Sequence, residues 1–160
     1  MNRGMQILQE RFGRDSVMAL ATVENGAPSV RNVNAYYENG AFYVITYALS
    51  GKMRQLAANP ACALAGEWFT AHGRGESLGW FGSAENALMA AKLRAAFAEW
   101  IDNGHNDLSD SNCVILRIRL TDALLFANGT RYELDFAEEE KEWANTMRCG
   151  RMCAPNRVTH

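Results

Sequence analysis

The sequence predicts a mainly β fold, a small barrel of six or seven mostly antiparallel strands with one small helix between strands and one longer helix packed outside. Three observations carry this. Short segments rich in β-branched and aromatic residues recur along the chain, as in Ser16 to Glu24 and Ala41 to Tyr47. Asn-Gly pairs at Asn25-Gly26, Asn39-Gly40 and Asn128-Gly129 separate such segments as tight hairpin turns. One long stretch, Ser83 to Trp100, changes to helical spacing.

Taken in order, Met5, Leu8 and Phe12 fall at helical spacing and stop at Gly13, which predicts a short first helix. Ser16 to Glu24, Ser29 to Tyr37 and Ala41 to Tyr47 follow as a three-stranded meander joined by two of the Asn-Gly turns. The second of these strands mixes polar and apolar residues on both faces, so one face is expected to line a site. Lys52 to Ala58 carries Met53, Leu56 and Ala57 on one side of a short helix that Asn59-Pro60 ends. The segments ACALAGEWFT and HGRGESLGWFG, between Ala61 and Gly82, are expected as two strands, the second with glycine-marked bulges or close backbone approach. Ser83 is the expected cap of the longest helix, whose Leu88, Ala91, Leu93, Ala95, Phe97, Ala98, Trp100 and Ile101 make a broad apolar surface. A polar loop leads to the strand from Cys113, and Asn128-Gly129 turns into a last strand, Thr130 to Phe136. From Ala137 the chain is charged and then irregular, and this 137–160 tail is expected to order against a partner.

With 160 residues the chain fits one domain with its own core. The formal charge of −2 supplies no field for nucleic acid or anionic lipid. No apolar run reaches membrane-spanning length and the charged N-terminus is unlike a signal peptide, so the expectation is a cytoplasmic protein. Cys62 and Cys113 stand singly in apolar stretches and are expected buried, while Cys149 and Cys153 lack the partners of a zinc site, so no metal is expected.

The joint Ser50-Gly51-Lys52 lies between a strand and a helix. A triphosphate loop needs a glycine where Thr46 stands and a Ser or Thr where Met53 stands, so that reading fails. A single phosphate needs less: free amides at a helix start, the Ser50 hydroxyl and the Lys52 ammonium would suffice. Alone, Ser50 would be an ordinary N-cap and Lys52 a solvated lysine. Arg31 lies on a neighbouring strand, from which its guanidinium can converge on the same point.

The order A-P-S-V-R-N-V, E-N-G, F-Y-V-I-T-Y and S-G-K-M-R-Q-L-A-A-N-P resembles the FMN-binding split barrels related to pyridoxamine 5'-phosphate oxidase, most closely over Asp15 to Leu78. The resemblance implies that Arg31 and Lys52 hold the flavin phosphate with help from Ser50. By the same match, Thr46 and Tyr47 meet the flavin and Asn32 and Val33 run along its ring. Trp68 and Phe69 are candidates for the ring's edge, with a core position as the alternative. Tyr36 stands where that oxidase has a lysine, and R-Y-E-L-D-F does not reproduce its C-terminal motif, so the resemblance does not extend to its substrate. Arg131 and Tyr132 are ligand candidates from the last hairpin, or simply exposed strand residues.

What the resemblance implies is an FMN-dependent oxidoreductase acting on a small redox molecule, as a homodimer with flavin at the subunit interface. A non-catalytic flavin, deazaflavin or haem binding or storage protein is the alternative. No catalytic residue is assigned: His105 and His160 are expected in solvent, and His72 is expected to begin a strand near the ring.

Overall fold

A computed structural model describes residues 2–136. The expectations for the tail, for Cys149 and Cys153 and for His160 therefore lie outside the described residues. Helix α1 (Arg3–Phe12) is followed by β1 (Ser16–Glu24), β2 (Ala27–Glu38), β3 (Ala41–Tyr47), α2 (Gly51–Ala58), β4 (Ala61–Gly66) and β5 (Phe69–Trp80). A 3-10 turn (Ala84–Asn86), α3 (Ala87–Ala96), β6 (Cys113–Ala127) and β7 (Thr130–Asp135) complete the order.

The strands run β3-β2-β1-β4-β5-β6-β7 in antiparallel pairs, and a further β3–β6 pairing closes the first six into a barrel. Strand β6 makes closure possible by its length of 15 residues. Its first half, to Arg119, pairs with β3, and beyond Leu120 its place beside β6 is taken by β7. The three Asn-Gly turns have both residues at positive φ, the geometry that matches hairpin twist and that Asn and Gly adopt most readily.

Alternation along each strand sends Met18, Leu20, Val33, Ala35, Tyr37, Phe42 and Val44 into the barrel. Rings of Phe12, Tyr37, Phe42 and Phe69 meet at one end, with centroids 5.0 to 5.8 Å apart. Helix α1 closes that end with Ile7, Leu8 and Phe12, and Asn2 caps it by accepting from the Met5 amide at 2.8 Å. Helix α2 covers the other end with Met53 and Leu56. Leu56 approaches so closely that a Cβ on Gly75 of β5 would lie 2.9 Å from its Cδ1. Here a glycine marks close approach, as its strand context predicts.

Two boundaries differ from expectation. The hairpin between β4 and β5 turns at Glu67 and Trp68, several residues before the expected break. Trp68 sits at φ +51°, a left-handed conformation that sequence rules reserve for Gly and Asn. Tertiary contact supports it: the Arg11 guanidinium donates to the carbonyls of Glu67 at 2.9 Å and Phe126 at 3.0 Å. His72 consequently lies within β5 rather than at its start.

Helix α3 has 10 residues, the same as α1, and is shorter than the expected span from Ser83 to Trp100. Ser83 makes no capping bond from its side chain. Asn86 instead turns its amide to the carbonyls of Leu78 and Trp80, at 2.9 and 2.8 Å, which ties the start of the helix to β5. Of the expected apolar surface, Leu93, Phe97 and Ile101 are buried on the outer barrel face against Ile115 and Tyr43, while Leu88 is 84 % exposed. Among the described residues no helix is long and apolar enough to cross a membrane.

Candidate functional site

Strand β2 pairs with β1 from Ala27 to Ala35, but with β3 only at Tyr36, Tyr37 and Glu38. Beyond Tyr43, β3 follows β6 and parts from β2, so the barrel is split there. A cavity of about 470 Å³ lies in that split. Arg31, Asn32, Val33 and Asn34 form one wall, and Val44, Ile45 and Lys52 form the other. Trp100, Asn103, His105 and Asn106, from the segment after α3, complete it.

Arg31 follows the inward alternation of β2 and meets two polar groups at the α2 end of the barrel. Its Nη1 donates to Thr22 Oγ1 at 2.6 Å and to the Leu20 carbonyl at 3.2 Å, and its Nη2 donates to Gln55 Oε1 at 3.0 Å. Thr22 is fully buried, and its hydroxyl also bonds Gln55 Oε1. Glu24 Oε2 accepts from Gln55 Nε2 at 3.2 Å, which sets the amide with its oxygen toward Arg31. Hydrogen bonds from Arg54 and Gln55 hold the Glu24 carboxyl below its ordinary range.

Lys52, in the first turn of α2, donates from Nζ to Thr46 Oγ1 at 2.6 Å. Burial pushes its ammonium below the ordinary lysine value, and the Arg31 charge pushes the same way. Neither cation forms an ion pair with a carboxylate among the described residues. Ser50 occupies the N-cap position of α2, yet its hydroxyl caps nothing. That buried oxygen has no hydrogen-bond partner among the described residues. An unmet buried polar group costs roughly 1–3 kcal/mol. Two uncompensated cations and an orphaned hydroxyl at a helix start fit a phosphate dianion.

The expected site residues divide accordingly. Arg31, Asn32, Val33 and Lys52 share the cavity, Thr46 stands behind Lys52, and Ser50 begins the same helix. Tyr47, next to Thr46 at the end of β3, is about half exposed and is not part of the cavity lining. Trp68 is exposed at the β4–β5 turn, and Phe69 is buried against Phe12 and Phe42. The structure thus places Trp68 and Phe69 toward the α1 end of the barrel, with Phe69 in the core.

The histidines exchange places. His72 lies on the outer barrel face with Nδ1 2.8 Å from Asp122 Oδ1, whereas His105, expected only in solvent, lines the cavity while remaining exposed. Arg131 is exposed and paired with Glu133 at 3.2 Å, away from the split. Both Cys62 and Cys113 are buried, and burial pushes the Cys62 thiol up to about 11.

Sequence reasoning missed Thr22, Gln55 and the segment containing Trp100. Gln55 had one local signal, as a polar residue between Met53 and Leu56 on the buried side of a short helix. The return of residues 100–106 over the split has no local signal.

The sequence profile described as pyridoxamine 5'-phosphate oxidase matches residues 6–125. No curated protein sequence matches the chain. Among solved structures, the chain is similar to the General Stress Protein 26 from Bacillus anthracis, with 16% identity, a TM-score of 0.63, and coverage of 83% of this chain and 100% of that one. It is also similar to a FAD-binding protein from Mesorhizobium loti, at 17% identity and a TM-score of 0.60, covering 77% of this chain and 92% of that one. A heme binding protein from Mycobacterium smegmatis shares 19% identity and a TM-score of 0.55, over 76% of this chain and 53% of that one. At these identities the structural likenesses establish the fold, and the profile match establishes kinship. The chain belongs to the pyridoxamine 5'-phosphate oxidase family of split barrels.

Proposed function

We propose that this protein is a cytoplasmic FMN-binding oxidoreductase acting on a small redox molecule. The observation that carries the reading is that Arg31 and Lys52 line the same β2–β3 split with no carboxylate paired to either among the described residues, while Ser50, with its unpartnered hydroxyl, begins the helix that carries Lys52. Arg31 and Lys52 would hold the phosphate, Ser50 would donate to it, and Asn32 and Val33 would line the ring's place. The FAD-binding neighbour supports a flavin in this fold.

When bound, FMN supplies hydride or electron transfer. The chain's own residues bind, orient and shield. Thr22 and Gln55 hold the guanidinium in place, Thr46 holds the ammonium, and the residues after α3 cover the split. The working unit in this reading is a homodimer with the flavin at the interface. Exposed Val17 and Val30, on the outer faces of β1 and β2 beside the site, supply apolar surface for it.

A second reading, a protein that holds flavin, deazaflavin or haem without turnover, is favoured by the lining, which contains neither carboxylate nor thiol among the described residues. The similarity to a heme binding protein supports haem as one ligand in this second reading. Absorbance of the purified protein separates the cofactors, and anaerobic reduction by NADH or NADPH separates a reductase from a carrier. The double variant Arg31→Ala, Lys52→Ala is expected to lose FMN retention. Unchanged affinity in that variant overturns the phosphate assignment.

A further inference from the structure

We propose that Trp100 is the chain's own aromatic wall for the flavin ring and that Asp15 is the positioning residue that fixes its indole, an inference that rests on the flavin reading above. Trp100 is half-buried and lines the split, where the remaining lining is mostly amide, aliphatic and cationic. Its indole is the one large aromatic surface among those residues. A planar heteroaromatic ligand gains most from such a surface by offset stacking.

The indole is held from two directions. Phe97 supports it, with ring centroids 4.7 Å apart and planes inclined by 30°. Asp15 Oδ2 accepts from its Nε1 at 2.9 Å, and Asp15 Oδ1 accepts from Asn34 Nδ2 at 3.0 Å. Asn34 belongs to the β2 wall. One carboxylate therefore ties the β2 wall to the segment after α3, with Trp100 85 residues from Asp15 in sequence.

A tryptophan that only packs needs a single acceptor, as Trp80 has in the Leu108 carbonyl at 3.1 Å. Trp100 likewise has one acceptor, but that acceptor is a carboxylate whose other oxygen is held by Asn34, so the indole N–H is anchored to the wall that carries Arg31 and Asn32. Asp15 does not line the cavity and acts through Trp100.

The test is a titration of purified wild type, Trp100→Ala, Trp100→Phe and Asp15→Asn with FMN, following affinity, the quenching of flavin emission and the visible band. Circular dichroism and thermal melting establish that each variant is folded. Trp100→Ala is expected to weaken FMN by about tenfold, the usual scale for removing a stacking platform, and to restore much of the emission. Trp100→Phe, which keeps an aromatic ring but removes the indole N–H, and Asp15→Asn, which removes the charge and replaces one of the two acceptor oxygens by a donor, are expected to weaken FMN by about threefold and to shift the bound flavin's band. A folded Trp100→Ala with wild-type affinity and quenching overturns the stacking wall. Should Trp100→Ala not fold, unchanged affinity, quenching and band in Trp100→Phe and Asp15→Asn overturn the proposal. Absence of FMN binding by wild type overturns the flavin reading itself and this inference with it, so the two failures are told apart by the wild-type titration.

Discussion

Gln55 Oε1 accepts a hydrogen bond from Arg31 Nη2 at 3.0 Å, which joins the small helix to the strand that carries the guanidinium proposed to bind phosphate. The same amide is oriented by Glu24 and contacted by Thr22, so the position of Arg31 is held by residues that do not line the cavity.

Replacing Gln55 by alanine removes this orientation and leaves Arg31 and Thr22 short of a buried partner. Stability is expected to fall by about 1–2 kcal/mol in urea unfolding. FMN affinity is expected to fall about fivefold, the equivalent of ~1 kcal/mol of misplacement. Unaltered affinity with reduced stability would confine Gln55 to a structural role.

Lys52 makes the site sensitive to pH. Burial and the Arg31 charge depress its pKa in the folded chain, so the unfolded chain holds this proton more tightly. Across the window between the depressed folded value and the ordinary lysine value of about 10.4, the unfolded state binds more protons, and this group makes ligand-free stability rise with pH. Below that window the cost of the buried ammonium is fully present. A phosphate dianion reverses the shift. FMN binding is therefore expected to weaken as pH rises through the depressed value, with proton uptake on binding seen by calorimetry in buffers of different ionisation enthalpy. Lys52→Met is expected to raise the ligand-free unfolding midpoint at pH 7 and to abolish that proton uptake. Identical heats in all buffers for the wild type would refute the linkage.

Gly75 couples barrel packing to the site. A Cβ there would lie 2.9 and 3.0 Å from the two methyl carbons of Leu56, which is buried. Gly75→Ala is expected to cost about 1–3 kcal/mol by overpacking. It is also expected to weaken FMN, because the displaced helix carries Lys52 and Gln55. Gly51→Ala, at the start of the same helix with nothing within 4 Å of the added carbon, is the stability control. Equal unfolding midpoints for the two variants would exclude the steric account.

The strands were legible where local chemistry decided them. Apolar, β-branched and aromatic composition placed β1 and β3, the three Asn-Gly pairs placed their hairpins, and Pro60 and Ser50 bracketed α2. Arg31 and Lys52 were legible as partners because a strand-to-helix joint beside a hairpin leaves few places for two cations to go. Trp68 was misplaced because its turn depends on Arg11, which approaches from α1 and holds a backbone shape that tryptophan does not favour by itself.

The sequence by itself determined the barrel class and the meander of β1 to β3, since both follow from composition, periodicity and turn chemistry acting over a few residues. Only the tertiary structure decided where β2 and β3 part, which buried amide steers Arg31, and that residues 100–106 return to cover the opening. Those features depend on ladder bonds that stop and on contacts such as Asp15 to Trp100, which bring distant residues together and leave no period in the sequence.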